Sequence, residues 1–437
     1  MKAPIIRWVA GMAALLASVS AGESGEARGT EAQPAYRITT LPSLGGTQSS
    51  GNGINDLEWV TGSSALAGNQ TVRATLWLDG RITGLGTLGG ANSSVVWPVK
   101  DTVGIITGIA ETSTVDPLGE QWSCSAFIPT TGTTCLGFVW EFGRIRALPT
   151  FGGNNGFATG ANNRGQVVGW AENAVHDPTC TSPQVLQFRA AIWGPGTDTI
   201  RELPPLGGDS TSAATAVNDQ GQAVGISGVC GSAVGAFSAA HAVLWEHGTP
   251  TDIGNLGGVA WNTPMAINEW GDVVGFSNIR ASDGDTFNAH AFLWTRRGGI
   301  QDLGTLPGDA LSQALGINNW RQVVGISCTA GFAGCRGFLW RDGVMMDLNS
   351  LVVSGTADPI YAAGDIDDLG RITGQTLNVT TNVASAFLAL PTCSLDGDHG
   401  NGGRTEATLA VPASQPRLPE QVRGEILRRL GVGEHSL

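Results

Sequence analysis

Aromatic rings, carboxylates and histidines that could bind a ligand are concentrated in segments whose length varies most along the chain. Carboxylates accept hydrogen bonds from hydroxyl groups and hold cations, whereas aromatic rings supply apolar contact area. The predicted ligand-binding residues are Trp97, Trp122, His176, Trp261 and His290. Asp116, Glu120, Asp177, Asp283 and Asp285 lie in the same segments and could add acceptors. The alternative is that all of these are ordinary solvated loop residues.

Catalytic motifs are missing from the sequence in any credible setting. It contains no nucleophile elbow, zinc-protease signature or phosphate-binding loop, and its six histidines are scattered. We therefore expect a non-catalytic binding or scaffold module without a cofactor or a metal, whose partner is a glycan or a protein. The alternative function is a polysaccharide hydrolase or lyase that uses two channel carboxylates as acid and base. A purely structural surface protein is the third possibility.

One hairpin phrase recurs seven times and reveals the elements that must position these residues. Clear copies are INDLEWVTG from Ile54, VNDQGQAVG from Val217 and INNWRQVVG from Ile317, and a degenerate copy starts at Val99. In each copy, Asn or Asp is expected to cap a tight turn before a returning strand. A phrase ending mostly in Trp and a Gly-Gly phrase follow, so that each unit of about 50 residues contains four short strands.

Four strands in about 50 residues are typical of a β-propeller blade. The sequence thus predicts an all-β, seven-bladed β-propeller over residues 35–391. The N-terminal strand, Tyr36 to Leu41, is expected to complete the last blade beside the strand from Ala384 to Leu390, which removes two exposed sheet edges. The tryptophans that end the third strands are expected to form core between blades. The recurring Asp252, Asp302 and Asp347 are interpreted as structural.

The segment His290-Ala291-Phe292, followed by Leu293-Trp294, and the repeated phrases of the LGTLGG type resemble the HAF-repeat family of extracellular repeat proteins. The resemblance extends from about Tyr36 to Leu390. It implies export and internal repetition, and it supplies no activity or catalytic residue. Only one unit spells His-Ala-Phe, so the histidine is not a repeated ligand.

Six cysteines lie in segments that connect second and third strands, where an exported protein would form disulfides. We predict local bridges Cys124–Cys135 and Cys328–Cys335, and a bridge between neighbouring units, Cys180–Cys230. Cys393 is left unpaired. Zinc binding is disfavoured because none of the spacings is Cys-x-x-Cys and no histidine pair accompanies the cysteines.

The two ends of the chain differ from the repeats. Residues 1–21 have the basic start, the short apolar run and the small residues of a cleaved signal peptide, and a flexible segment, 22–34, follows. We therefore expect a secreted or periplasmic protein without membrane insertion of the mature chain. After the repeats, a flexible tail, 392–437, carries the calcium-loop-like segment Asp396 to Gly403 and an amphipathic helix from Pro419 to Leu430.

Composition agrees with these expectations. The chain has 64 glycines among 437 residues and only 14% charged residues, which favours turns and strands over helices. Its formal net charge of −13 argues against nucleic acid or an anionic membrane as a partner.

Overall fold

A computed structural model describes residues 34–120, 122–196, 199–231, 235–280, 286–392 and 417–429. The predicted signal peptide, nearly all of the segment 22–34, Cys393 and the calcium-loop-like segment lie outside these residues. The described fold is all-β, as predicted. Its strands coincide with the stretches of small and β-branched residues in the repeated phrases, and the turn residues of each phrase lie between the strands.

Five sheets each contain four antiparallel strands that follow one another along the chain. Their strands are β6 (Gly89–Ser94), β7 (Ile106–Val115), β8 (Thr133–Glu141) and β9 (Arg144–Ala147); β10 (Gly152–Ala161), β11 (Val167–His176), β12 (Leu186–Trp193) and β13 (Ile200–Leu203); β14 (Thr211–Val217), β15 (Ala223–Gly228), β16 (His241–Glu246) and β17 (Thr249–Asp252); β18 (Thr263–Ile267), β19 (Val273–Asn278), β20 (Ala289–Thr295) and β21 (Gly299–Gly304); and β22 (Leu311–Ile317), β23 (Val323–Cys328), β24 (Cys335–Arg341) and β25 (Val344–Asp347).

Nine further strands, from the two ends of the repeat region, belong to one connected sheet. They are β1 (Tyr36–Thr40), β2 (Gly45–Ile54), β3 (Val60–Leu66), β4 (Val72–Leu78), β5 (Arg81–Gly84), β26 (Val352–Ser354), β27 (Ile360–Ile366), β28 (Ile372–Asn378) and β29 (Val383–Pro391). Strands β2 to β5 pair in sequence, as do β27 to β29, and β1 pairs antiparallel with β29 over its whole length. The N-terminal strand therefore lies beside the last strand of the repeat region.

Helices are few in the described part of the chain. The α-helices are α1 (Trp122–Ser125) and α2 (Glu420–Arg429), and α2 lies within the range predicted for the amphipathic helix. Three 3-10 helices span Ala236–Ala239, Ala330–Phe332 and Leu348–Leu351. Among the described residues, no helix is both long and apolar enough to cross a bilayer.

The last glycine of each hairpin phrase lies against the backbone of the preceding strand. A Cβ atom on Gly225 would come within 2.0 Å of the carbonyl oxygen of Ala213, and one on Gly169 within 1.9 Å of the Phe157 oxygen. The equivalent distances at Gly62, Gly108, Gly275, Gly325 and Gly374 are 1.8 to 2.2 Å. These positions admit no side chain, because real Cβ atoms do not approach an oxygen so closely.

The core lies between successive sheets. One apolar cluster, for example, joins Val168 and Leu203 of one sheet to Val217 and Trp245 of the next. The indole N–H of Trp245 donates to the carbonyl oxygen of Pro204 at 2.7 Å. The indole N–H groups of Trp193 and Trp77 donate in the same way to the carbonyl oxygens of Pro149 and Pro42. Each of these third strands is therefore bonded to a Gly-Gly phrase of the repeats.

The third-strand tryptophans are mostly core residues, as predicted. Trp77, Trp193, Trp245 and Trp340 are buried. Trp140 and Trp294 are half-buried. Burial of these large rings, with the N–H groups of Trp77, Trp193 and Trp245 satisfied, stabilises the packing of adjacent units.

Candidate functional site

A cavity of about 120 Å³ lies among the first and second strands of several units, beneath helix α2. We call it the central cavity. Its apolar lining comprises Val96, Trp97, Phe127, Met265, Phe276, Leu315, Ile326, Tyr361, Ala362, Val422 and Ile426. Its polar lining comprises Asn52, Thr263, Gln313, Gln375 and Glu425. A mainly apolar cavity with a few polar groups is typical of a small-molecule site.

Three polar atoms in the wall of the central cavity have no hydrogen-bond partner among the described residues. They are Trp97 Nε1, Thr263 Oγ1 and Gln313 Nε2, and all three side chains are buried. Trp97 Nε1 and Gln313 Nε2 are donors only, so an acceptor is needed to satisfy them. Buried polar groups are nearly always paired, so three unpaired atoms on residues that line one cavity are unusual.

An aromatic cluster packs around Trp97. Its ring meets those of Phe127, Phe157 and Trp170 edge to face, with centroid separations of 5.2, 5.4 and 6.0 Å. Phe157 and Trp170 are fully buried. Such packing fixes the indole in one orientation, so that this wall of the cavity is preorganised.

Helix α2 covers the central cavity and is held by backbone and side-chain bonds to the segment before β24. Leu418 N–H donates to the Ala333 oxygen at 2.9 Å, and Arg423 Nε donates to the Gly331 oxygen at 2.7 Å. Val422 and Leu427 are buried in an apolar cluster with Phe332 and Tyr361. The amphipathic helix therefore docks on the repeat region.

The hairpin turns of the repeats are linked to one another by hydrogen bonds. Each copy of the phrase contributes one residue to a set that we call the turn ring: Asp56, Thr102, Asn163, Asp219, Glu269, Asn319 and Asp368. Backbone N–H groups of six members donate to the side chain of the next, for example Asn319 to Asp368 Oδ1 at 2.8 Å. The sequence shows only that acceptor side chains recur at this position, and their mutual bonding was not predicted.

A second cavity, of about 230 Å³, lies inside the turn ring and is strongly acidic. Asp56, Asp219, Glu269, Asp367 and Asp368 line it, together with the cation Lys100. Burial raises the pKa of Glu269, although the hydrogen bond from the Asp219 backbone opposes the shift. Asp56, Asp219, Glu269 and Asp368 are held in place by the bonds of the ring, and Asp367 is held by Arg371, so the field of these carboxylates is fixed.

Buried carboxylates elsewhere have structural partners. Glu172 Oε2 accepts the backbone N–H of Asn155 at 2.8 Å, and Glu120 Oε1 accepts that of Val185 at 2.9 Å. Burial and the nearby charge of Glu120 raise the pKa of Glu172 to about 7. Both side chains are at most 1% exposed, so this pair is closed to a polysaccharide substrate.

Two of the predicted ligand-binding residues, Trp97 and Trp261, lie in different apolar clusters. Trp97 lies between β6 and β7 rather than in a loop joining second and third strands, and it lines the central cavity. Trp261 is buried against Phe287 in a different apolar cluster. Each ring leaves the surface because a large apolar side chain gains by burial.

The other predicted ligand-binding residues are spread over different parts of the fold. Trp122 lies in helix α1, and His176 is exposed at the end of β11. His290 lies in strand β20, where its Nδ1 is 2.9 Å from Asp302 Oδ2. His241 and Asp252 form the equivalent contact at 3.0 Å, and Arg336 with Asp347 completes the pattern. The recurring acids thus hold the two outer strands together.

The three predicted disulfides are confirmed. The bonded pairs are Cys124–Cys135, Cys180–Cys230 and Cys328–Cys335. Asp177, Cys180 and Cys230 are close enough to share a metal ion, but both sulfur atoms belong to a disulfide and offer no thiolate. Disulfides of this kind are typical of proteins in an oxidising compartment.

No family model and no curated protein matches this chain. Among solved structures, it is similar to Porphyromonas gingivalis dipeptidyl peptidase 4, with 8% identity, a TM-score of 0.37 and coverage of 75% of this chain and 48% of that one. It is also similar to Trypanosoma rangeli sialidase, with 10% identity, a TM-score of 0.35 and coverage of 72% and 56%. The chain spans about half the length of the solved structures that it matches.

Proposed function

We propose that this chain is an exported, non-catalytic binding module built as a closed seven-bladed β-propeller. The seven hairpin phrases, the pairing of β1 with β29 and the turn-ring bond from Asp368 to Asp56 support the ring. The signal-peptide pattern of residues 1–21 and the three disulfides support export. A mature N-terminus at Gly22, measured by intact mass after expression with export, tests the second part.

The binding site that we propose is the central cavity, and its unpartnered Trp97 Nε1 and Gln313 Nε2 carry the proposal. A mainly apolar wall with these donors suits a ligand that has an apolar body and hydrogen-bond acceptors. An unmodified polysaccharide would fit this cavity poorly, because its hydroxyl groups would lie against apolar side chains. Binding rather than catalysis is supported because Glu120 and Glu172 are bonded to backbone N–H groups and inaccessible, and because the acidic-cavity carboxylates Glu269 and Asp368 also accept backbone N–H groups.

Anilinonaphthalene sulfonate is a suitable probe, because it combines fused apolar rings with acceptor oxygens. The oxidised protein should bind it with enhanced fluorescence and a raised melting temperature, since a ligand at 100 times its Kd adds about 2.7 kcal/mol. Gln313→Leu, which removes one donor, should weaken binding at least fivefold. Trp140→Phe changes a half-buried indole outside the cavity and is the matched control.

A polysaccharide panel with product analysis completes the test. Release of shorter glycans would overturn the non-catalytic proposal. Probe binding that Gln313→Leu leaves unchanged would overturn the assignment of the central cavity, whatever the panel shows.

A further inference from the structure

Five large apolar side chains are exposed directly beside the turn ring. Each follows a ring residue in sequence: Leu57, Val103, Trp270, Trp320 and Leu369, with exposed fractions between 51% and 74%. Trp270 and Trp320 are the most exposed of the five. Exposed apolar groups that are clustered, rather than scattered singly, mark interaction surfaces.

Hydrogen bonds between turns make these side chains neighbours. The indole N–H of Trp270 donates to the Asn319 oxygen at 3.0 Å, and that of Trp320 donates to the Asp368 oxygen at 3.0 Å. Trp270 therefore reaches the residue before Trp320, and Trp320 reaches the residue before Leu369. The Asp368 to Asp56 bond and the bond from Asn55 Nδ2 to the Asp101 oxygen continue the series to Leu57 and Val103. The five side chains thus lie on five successive turns, and we call this set the apolar arc.

The arc borders the acidic cavity inside the turn ring. Five carboxylates line that cavity, of which Asp367 is already paired with Arg371 at 2.5 Å, and the ammonium group of Lys100, its one cationic lining group, is bound to Asp365 at 2.6 Å. A fixed negative field beside exposed indoles attracts cations, which interact favourably with carboxylates and with the faces of the rings. The same field repels nucleic acid and anionic lipid.

We propose that the apolar arc and the acidic cavity form a docking surface for a basic, apolar segment of another protein. Its lysine or arginine side chains enter the acidic cavity, and its apolar side chains cover Trp270, Trp320 and Leu369. Tryptophan is prominent among residues that dominate protein interfaces, and here the N–H of each indole is already satisfied, which leaves its rings free for contact. This surface is separate from the central cavity, so the proposal does not depend on a ligand there.

A fluorescein-labelled peptide of alternating lysine and leucine tests the docking surface by fluorescence anisotropy with the full-length oxidised protein. Peptides of alternating glutamate and leucine, and of alternating lysine and serine, separate the charge from the apolar contribution. We expect the lysine-leucine peptide to bind at least tenfold more tightly than either control, and its affinity to fall as salt is raised.

Variants of the two tryptophans decide whether the peptide binds at the arc. The double variant Trp270→Ala with Trp320→Ala should weaken the lysine-leucine peptide at least tenfold. Phe142→Ala removes a ring that is 93% exposed between β8 and β9, and it should have no effect. Replacing both tryptophans by phenylalanine keeps the apolar arc and should retain affinity within about threefold, even if the lost indole bonds lower the melting temperature.

Three results would overturn the proposal. The first is that the lysine-leucine peptide does not bind, and the second is that it binds the double alanine variant as tightly as the unchanged protein. The third is that sedimentation shows self-association that the double alanine variant abolishes, in which case the occupant is a second copy of this chain.

Discussion

The ammonium group of Lys100 lies 2.6 Å from Oδ1 of Asp365, whose side chain is completely buried. The other oxygen of Asp365 accepts the backbone N–H of Ile54 at 2.9 Å. Three repeat units from the two ends of the repeat region therefore meet at one carboxylate. Burial raises the pKa of Asp365 to about 6, although the charge of Lys100 opposes the shift.

Removing the Lys100 charge should destabilise the fold. Lys100→Met leaves Asp365 buried without its counter-ion, which costs about 3 kcal/mol of unfolding free energy by analogy with other buried pairs. The loss should be larger at pH 8 than at pH 5, because protonation of Asp365 relieves it. Urea unfolding followed by tryptophan fluorescence measures both values. The double variant Lys100→Met with Asp365→Asn should recover part of the loss, and equal losses in the single and double variants would contradict this account.

The repeated glycine in the hairpin phrase should resist substitution. Gly225→Ala forces a methyl group to within 2.0 Å of the Ala213 oxygen, so strand β14 or β15 must shift. We expect a loss of about 3 kcal/mol, as for other backbone clashes in a core. Gly207→Ala is the matched control because a Cβ atom there meets nothing within 4 Å. The melting temperatures of the two variants should differ by several degrees, and similar values would contradict the steric account.

Local patterns predicted the local structure well. The phrase from Ile317 predicts a capped turn, and Asn318 Oδ1 accepts the N–H groups of Trp320 and Gln322. Cysteine positions relative to the strands predicted all three disulfides. Such features depend on residues close in sequence or at equivalent places in adjacent repeats, so that periodicity carries the necessary information.

Long-range placement could not be predicted in the same way. The sequence places Trp97 and Trp261 in length-variable segments and predicts them as ligand-binding residues, but each ring is buried among side chains from other units. The docking of α2 over the central cavity depends on contacts with the segment from Gly331 to Gly334, which no repeat encodes. The ion pair between Lys100 and Asp365 could not be predicted either, since the copy of the hairpin phrase that contains Lys100 is degenerate.

Glu172 should make stability depend on pH. Its pKa in the folded protein, about 7, exceeds the ordinary value of 4.5, so the folded state holds the proton more tightly than the unfolded chain does. Its contribution to stability is therefore fully present below about pH 4.5 and is lost as pH rises to about 7, by about 3 kcal/mol in all. Urea unfolding at intervals from pH 5 to pH 8 should show the unfolding free energy falling.

The variant Glu172→Gln isolates this contribution from those of Asp101 and Asp365, whose pKa values burial raises to about 6. The unfolding free energy of this variant should fall less steeply over the same range. Its stability relative to the unchanged protein should therefore increase with pH. Glu202→Gln makes the same chemical change at an exposed carboxylate and should keep the original slope. Parallel curves for all three proteins would show that Glu172 is not the titrating group.

Helix α2 should act as a removable cover of the central cavity. Val422→Asp places a charge among buried apolar side chains, which is unfavourable unless the helix undocks. Because undocking sacrifices only the contacts of the helix, the strands should keep a cooperative unfolding transition, and the melting temperature should fall by only a few degrees. Anilinonaphthalene sulfonate should then reach the cavity at a faster rate, measured by stopped-flow fluorescence. Gln421→Asp introduces the same charge at an exposed position of the same helix and should leave the rate unchanged. If Val422→Asp binds the probe no faster than Gln421→Asp does, the route to the cavity does not pass beneath α2.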